Sequence, residues 1–486
     1  MTKAAFAFDN SYARDLDGLY VPWQGDQVPA PQFLKLNTGL VEALGLDPAA
    51  MTPEILSGAK APEGASPLAM AYAGHQFGGF SPQLGDGRAL LVGEILDPQG
   101  ARWDIHLKGS GKTPFSRGGD GKALVGPVLC EYLMGEAMHA LGVPTTRALA
   151  AVGTGQDVMR ERPEAGAVLA RVASSHLRVG TFQFFAARGE VDRLRQLADY
   201  AIARHDPDLI ASPDKYLRFL EAVCDRQAAL IAQWVTLGFV HGVMNTDNMT
   251  ISGETIDYGP CAFVDIYDPV AKFSSIDKQG RYALGNQPAI GGWNLARLAE
   301  SLLDLINPDD SDDAIRQATD VINGYQASYD AAWLGRMRAK LGLVTAQDGD
   351  QSLAEDLLTT MQGEQVDYTN LFVALAGVTH GDTSSARALF VNPTAFDVWA
   401  DRYNARLDQE PDLAASRDRM RAANPVYIPR NHLVEEALSA ASTGDLSPFD
   451  GLLERVTNPY SVAQSADRYA QPAPSGFGNY VTYCGT

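Results

Sequence analysis

The sequence predicts an α+β fold of two lobes, a strand-containing N-terminal lobe and a larger, helical C-terminal lobe. Three observations carry this expectation. Apolar residues alternate or cluster as strands on either side of an Asp97-Pro98-Gln99-Gly100 turn. Past residue 173 the apolar residues recur at helical spacing instead. No self-similarity at a period of 20 to 50 residues is visible, which excludes a repeat array. A chain of 486 residues with 45% hydrophobic and 20% charged residues is long enough to bury substantial cores and is not disordered in composition.

Residues 1–65 are rich in Pro and Gly and read as an extension packed on the N-terminal lobe, with one helical stretch near Pro31–Leu46. Residues 66–172 form the N-lobe. Arg88–Leu96 and the alternating Trp103, Ile105 and Leu107 predict a strand pair. A Gly-rich connection, Gly109 to Gly121, leads to a helix over Leu124–Leu141, and Val168–Val172 predicts another strand. Residues 173–486 form the C-lobe with a C-terminal extension and tail. Helices are predicted over Val191–Arg204, from Ser212-Pro213-Asp214 (Ser as cap) to Leu237 before Gly238, and over Trp293–Ile306. Asp309–Asp313 reads as a solvated loop, helices continue to about Arg455, and a Gly/Tyr/Pro-rich tail follows.

Thirty-nine Lys and Arg against 59 Asp and Glu leave a net charge of −20. Such a field repels polyanions, so neither nucleic acid nor an anionic membrane is an expected partner. The N-terminus lacks a secretory signal, and no apolar run approaches the ~18 residues of a membrane span. Four cysteines, none in a Cys-x-x-Cys pair, offer neither a disulfide framework nor a zinc site. A reduced, cytoplasmic protein is the expectation. Positive charge gathered in one place against this background would mark the site.

Two stretches compete as phosphate-binding loops. Gly111-Lys112-Thr113 resembles the end of a Walker loop, but the first glycine of that motif falls on His106, so the loop cannot wrap phosphates. Gly85-Asp86-Gly87-Arg88 begins like G-x-G-x-x-G and lacks its third glycine at Leu90; an ordinary hairpin turn explains it equally well. Lys108 at the end of the next strand and Glu131 on the following helix are the residue types that orient phosphates in kinases. Further on, His241-Gly242-Val243-Met244-Asn245-Thr246-Asp247-Asn248 and then Asp257-Tyr258-Gly259 stand in register with the kinase motifs H-R-D-x-x-x-x-N and D-F-G. Asn248 and Asp257 offer hard oxygen ligands to Mg²⁺. Val243 occupies the place of the catalytic Asp, and Asp247 is the nearby carboxylate able to act as base. Arg88, Arg171 and Arg178 add planar forks for phosphate oxygens, and Asp120-Gly121 forms a second Gly turn before the Glu131 helix.

Ala73-Gly74-His75-Gln76-Phe77-Gly78, Gln83–Arg88, His106–Gly111, Glu131-Tyr132-Leu133, Pro144–Leu149, Asn245–Asn248, Pro425–Asn431 and the terminal Cys484 together resemble the selenoprotein O family from about residue 70 to the C-terminus. The resemblance implies a bilobal protein-kinase-like fold that transfers AMP from ATP to Ser, Thr or Tyr hydroxyls of proteins, with Mg²⁺ or Mn²⁺ and release of pyrophosphate. It implies Asp247 as proton acceptor and Asn248 and Asp257 as metal ligands. Gly85, Gly87, Arg88, Lys108, Asp120, Gly121, Arg171, Arg178 and Asp257 would contact the nucleotide, and Glu131 would pair with Lys108. Protein substrates, the chain itself among them, are the implied partners of a monomer; UMP transfer with manganese stays open. Residue types do not say which phosphorus is attacked, so a phosphotransferase and a non-catalytic nucleotide-binding scaffold remain alternatives.

Relatives in the family link the terminal cysteine, selenocysteine in some, to one in the activation segment. The corresponding position here is Phe273, which cannot pair, and Cys261 is the nearest substitute for a redox partner of Cys484.

Overall fold

Three strands of the predicted N-terminal region build the centre of an antiparallel sheet. The computed structural model describes residues 6–377, 383–461, 467–478 and 480–482. Among these the sheet runs in the order Tyr20–Pro22, Leu68–Met70, Ala89–Leu96, Arg102–Lys108, Pro163–Ala173, Arg147–Met159, Gln32–Leu36, with Ala123–Leu124 pairing beside Pro163–Ala173. The register sets Lys108 opposite Ala89 on one side and Leu169 on the other, and Arg171 opposite His106 and Ala148. Basic residues from neighbouring strands therefore meet at one end of the sheet. One sheet face is covered by the N-terminal segment, where Val41, Leu44 and Leu56 pack on Val92, Ile105 and Val168. The other carries the helix Val125–Ala140, whose Val128, Leu129, Tyr132 and Leu133 enter the main core.

The expected helix near Pro31–Leu46 is corrected. Gln32–Leu36 is a strand on Arg147–Met159, and only Thr38–Ala43 is helical, capped by the Asn37 side chain, which accepts from Leu40 N at 3.1 Å. A free sheet edge offered Phe33 and Leu36 more hydrogen bonds and burial than an isolated short helix would.

The remaining chain is mostly helical. The cap expected at Ser212 is instead Asp214: the helix runs Lys215–Leu237, and Ser212 donates its hydroxyl to Asp214 Oδ1 at 2.6 Å. Gly238 at φ +74° ends that helix in the left-handed conformation. The helix predicted from Trp293 begins earlier, at Gln287, with Pro288 in its first turn. The Asp309–Asp313 stretch is not a loop throughout. Asp310 caps the helix Ser311–Lys340, and Asp312 and Asp313 sit in its first turn, where the positive end of the helix dipole favours carboxylates.

A second core forms around Leu357, Phe372, Phe396 and Tyr403. The Pro425–Asn431 motif ties this region to the centre of the molecule. Arg430, fully buried, donates to Asp265 at 2.7 Å and Asp367 at 2.6 Å, and Asn431 Nδ2 donates to the Phe263 carbonyl. A buried guanidinium is tolerable only because carboxylates meet it.

Candidate active site

Three cations from three separate elements converge on Asp257. Lys108 Nζ, at the end of its strand, donates to Asp257 Oδ1 at 2.8 Å and to Glu131 Oε2 at 2.7 Å. Arg171 Nη1 bridges the same two carboxylates, at 2.7 Å to Asp257 and 2.8 Å to Glu131. Arg178, which precedes the helix Val179–Ala186, donates to Asp257 Oδ2 at 3.1 Å. Burial alone would raise the Asp257 pKa, but Arg171, then Lys108 and Arg178, outweigh it and hold the carboxyl well below the usual range. Asp257 also sits at φ +60°, a conformation rare outside glycine and maintained here by the packed surroundings. Three cations face two carboxylates, so the cluster keeps an excess of positive charge suited to phosphate.

The loop carrying Asp247 follows the short strand Phe239–Val240, paired with Ala262–Phe263. His241, buried, donates from Nε2 to the Ile256 carbonyl at 2.8 Å and so joins this loop to the Asp257 turn. Arg178 Nη1 donates to the Asp247 carbonyl at 2.8 Å, which sets Asp247 next to the cation cluster. The Asp247 side chain is 7% exposed. Burial is the main reason its pKa rises to about 6, only partly offset by local hydrogen bonding and Arg178. Its Oδ2 accepts from Gln76 Nε2 at 3.3 Å, and its Oδ1 is buried with no hydrogen-bond partner among the described residues. Asn248 Nδ2 donates to the Val243 carbonyl at 3.1 Å, which turns its Oδ1 away from that bond.

This donor set fits a hard cation. Asn248 and Asp257 supply oxygens, and the orphaned Asp247 Oδ1 lies nearby. Among the described residues no three His, Cys, Asp or Glu side chains are grouped to hold a metal by themselves. Mg²⁺ typically takes one or two protein carboxylates and completes its shell with water and substrate phosphates, and such a mode suits this arrangement.

Arg88 and Lys108 line a cavity of about 910 Å³ together with Glu131, Tyr258 and Gly259. The Gly85–Arg88 turn at its edge is braced from behind. Gly85 at φ +109° packs against Phe115, and the Asp86 carbonyl accepts from Thr113 Oγ1 at 2.6 Å. Asp120 and Gly121 are placed differently. Asp120 pairs with Arg160 at 2.7 Å, Gly121 packs on Gly111, and neither lines this cavity. A larger cavity, about 1090 Å³, lies beside Phe8, Tyr20 and Trp23; its Arg14 is paired with Asp9, so no free cations converge there.

Cys261 is buried, whereas Cys484 lies outside the described residues. The tail before it reaches the predicted activation segment: Thr482 N donates to the Phe273 carbonyl at 2.7 Å.

Three site residues had no role assigned from sequence. Gly74 accommodates the Asp247 carboxylate, since a Cβ there would overlap it, and Gln76 bonds that carboxylate. His106 accepts on Nδ1 from Arg171 Nε at 3.3 Å and meets Asp86 Oδ2 through Nε2 at 3.1 Å, linking the Gly-rich turn to Arg171. The only signal for the first two was their place in the Ala73–Gly78 stretch.

A family model described as protein adenylyltransferase SelO matches residues 4–457. Curated relatives named protein nucleotidyltransferase YdiU align along almost the whole chain. The protein of Cereibacter sphaeroides (strain KD131) is 60% identical over 99% of this chain and 100% of its own length. That of Mycobacterium sp. (strain KMS) is 54% identical over 99% of both chains. One from Methylorubrum extorquens is 54% identical over 99% of this chain and 100% of its own. Fold, site and relatives together define an enzyme of the nucleotidyltransferase class. The chain belongs to the protein adenylyltransferase SelO family.

Proposed function

We propose that this enzyme transfers AMP from ATP to Ser, Thr or Tyr hydroxyls of proteins. The observation that carries the reading is the convergence of Lys108, Arg171 and Arg178 on Asp257, beside a buried Asp247 whose pKa lies near 6. A general base works best with a pKa near the operating pH. Asp247 takes the proton of the acceptor hydroxyl while that oxygen forms a bond to the α-phosphorus. The bond from the α-phosphorus to the bridging oxygen breaks, and pyrophosphate carries away the electron pair. Lys108 and the arginines, with Arg88 at the cavity, fix the phosphates and offset the charge that develops on them. Asn248 and Asp257 would hold Mg²⁺ or Mn²⁺, which when bound neutralises phosphate charge. The Gly85–Gly87 turn would lie over the nucleotide; Asp120 and Gly121 would reach it only by leaving the Arg160 and Gly111 contacts.

In the same reading the molecule is a bilobal, kinase-like unit. Residues 66–172 form its N-lobe, 1–65 an extension packed on that lobe, and 173–486 the C-lobe with its tail. The enzyme acts as a cytoplasmic monomer on other proteins or on itself. No helix among the described residues is long and apolar enough to cross a membrane. The test is the Asp257→Ala protein with α-labelled ATP and Mg²⁺. Loss of label with retained folding supports the reading, and undiminished labelling overturns it. UTP with Mn²⁺ in the same assay asks whether UMP is also transferred. Transfer of the γ-phosphate is the competing chemistry, since the cation cluster stabilises charge on either phosphorus.

A further inference from the structure

The hairpin formed by Gly74–Gln76 and Gly79–Ser81 is bolted to the loop that carries Asp247. His75 N donates to Thr246 Oγ1 at 2.7 Å, Phe77 N to Asn245 Oδ1 at 3.1 Å, and Gln76 Nε2 to Asp247 Oδ2 at 3.3 Å. These bonds fix its base, yet its tip turns large apolar rings to solvent. Phe77 and Phe80 are 39% and 42% exposed, and Phe77 is held at φ +52°, an unfavourable backbone for an aromatic residue. Strain and exposed rings beside a reactive carboxylate are costly for stability, which points to use in binding.

The surface continues from the hairpin without a break. Phe80 packs on His75 at 4.8 Å between ring centres, and His75 meets Trp293 edge-on at 5.2 Å. Phe77 meets Tyr282 at 5.2 Å, and the Tyr282 hydroxyl donates to the same Asn245 Oδ1. Arg281 and Arg297 both lie over the Trp293 ring, at 4.9 and 4.8 Å. A guanidinium stacked on an indole keeps its N–H edge available to a carboxylate. Arg297 shares its charge with Glu300, but Arg281 forms no ion pair among the described residues, and its Nε is buried without a hydrogen-bond partner.

Local charge runs against that of the molecule. The stretch Val270–Arg281 holds Lys272, Lys278 and Arg281 against a single acid, Asp277. Asp277 is buried and turned inward, accepting from the main-chain N–H groups of Arg281 and Tyr282 at 2.8 Å each. In a chain of net charge −20, a cationic and aromatic patch touching the proposed base selects an anionic occupant.

We propose that the hairpin tip and the Trp293 platform form the docking surface for the acceptor segment of a protein substrate, and that this segment carries carboxylates next to its hydroxyl residue. Gln76 then stands where the hydroxyl enters, and Arg281 and Arg297 read the flanking acids while Phe77 and Phe80 cover an apolar neighbour. The inference rests on the reading of Asp247 as base.

Fluorescein-labelled peptides test it with the full chain. One probe carries a serine flanked by Asp and Glu with one Tyr, and its twin carries Lys in place of each acid. Fluorescence anisotropy is expected to show the acidic probe binding more tightly, with affinity falling about tenfold in Arg281→Glu and falling as salt rises. Phe80→Ser, at an exposed position that folding does not require, should weaken the same probe. Equal binding of the two probes, or unchanged affinity in both variants, overturns the proposal. Asp247→Asn separates the two readings. It should keep probe binding and lose AMP transfer to the probe; wild-type transfer in that variant would sink the base assignment while leaving docking to stand on the anisotropy.

Discussion

The carboxylate of Asp247 lies directly against the Cα of Gly74, at a separation that leaves no room for a side chain. The contact explains why Oδ1 is both buried and without a partner, and it makes the loop and hairpin one unit. Gly74→Ala should push Asp247 out of line. Misplacement on the scale of an ångström costs roughly 100-fold in rate, so AMP transfer should fall by about that factor with the fold intact. Transfer assays beside circular dichroism check it; near-wild-type transfer would show that the carboxylate position is unimportant.

Asp247 also predicts a pH dependence. As a base with a pKa of about 6 it must be ionised, so activity should fall as pH drops through 6. Stability moves the other way. A folded pKa above the unfolded value favours the folded state in full below about pH 4, and that contribution is lost as pH rises through 6. Asp247→Asn should therefore be more stable than the wild type at pH 8, by about 3 kcal/mol at most. Denaturant titrations at pH 4 and pH 8 give the comparison. An equal difference at both would contradict it.

Lys340 sets a second, independent titration. It is 4% exposed with Nζ over the Phe372 ring at 4.1 Å, and burial, then Arg336, lowers its pKa to about 7. The unfolded chain binds a proton there that the folded chain gives up, so stability should rise as pH goes from 7 towards 10. Lys340→Met should flatten that slope and stabilise the protein at pH 7 by about 2 kcal/mol. A steeper slope or a loss of stability in the variant would contradict the account.

How much of this was legible in the sequence depended on whether side-chain chemistry or backbone surroundings decided the outcome. Lys108, Glu131 and Asp257 have ionisable groups at intervals that mean something on a strand, a helix and a turn, so their pairing could be anticipated. Gly74 could not: its role is the absence of a side chain opposite Asp247, 173 positions further along the chain. His106 entered only as the residue that spoils a Walker loop, and its bond to Arg171 depends on strand register. Asp309–Asp313 mixed cap and loop signals, and the helix that followed resolved them. Gln32–Leu36 became a strand because a distant edge was open to it.

Arg430 tests the scaffold apart from the chemistry. It meets Asp265 and Asp367 in a buried cluster, and Arg430→Ala would leave both carboxylates uncompensated. Breaking such a pair from one side costs about 3–5 kcal/mol. A drop of that size in unfolding free energy is expected, and a change below about 1 kcal/mol would show the cluster to be solvated.

The central claim is that AMP, not phosphate, is what leaves ATP for the acceptor. Intact-mass spectrometry of the wild-type chain incubated with ATP and Mg²⁺, or of an added protein acceptor, tests it most directly, with Asp247→Asn as the control. The account predicts a mass gain of one AMP moiety in the wild-type reaction and none with the variant. A gain of one phosphoryl group would contradict it.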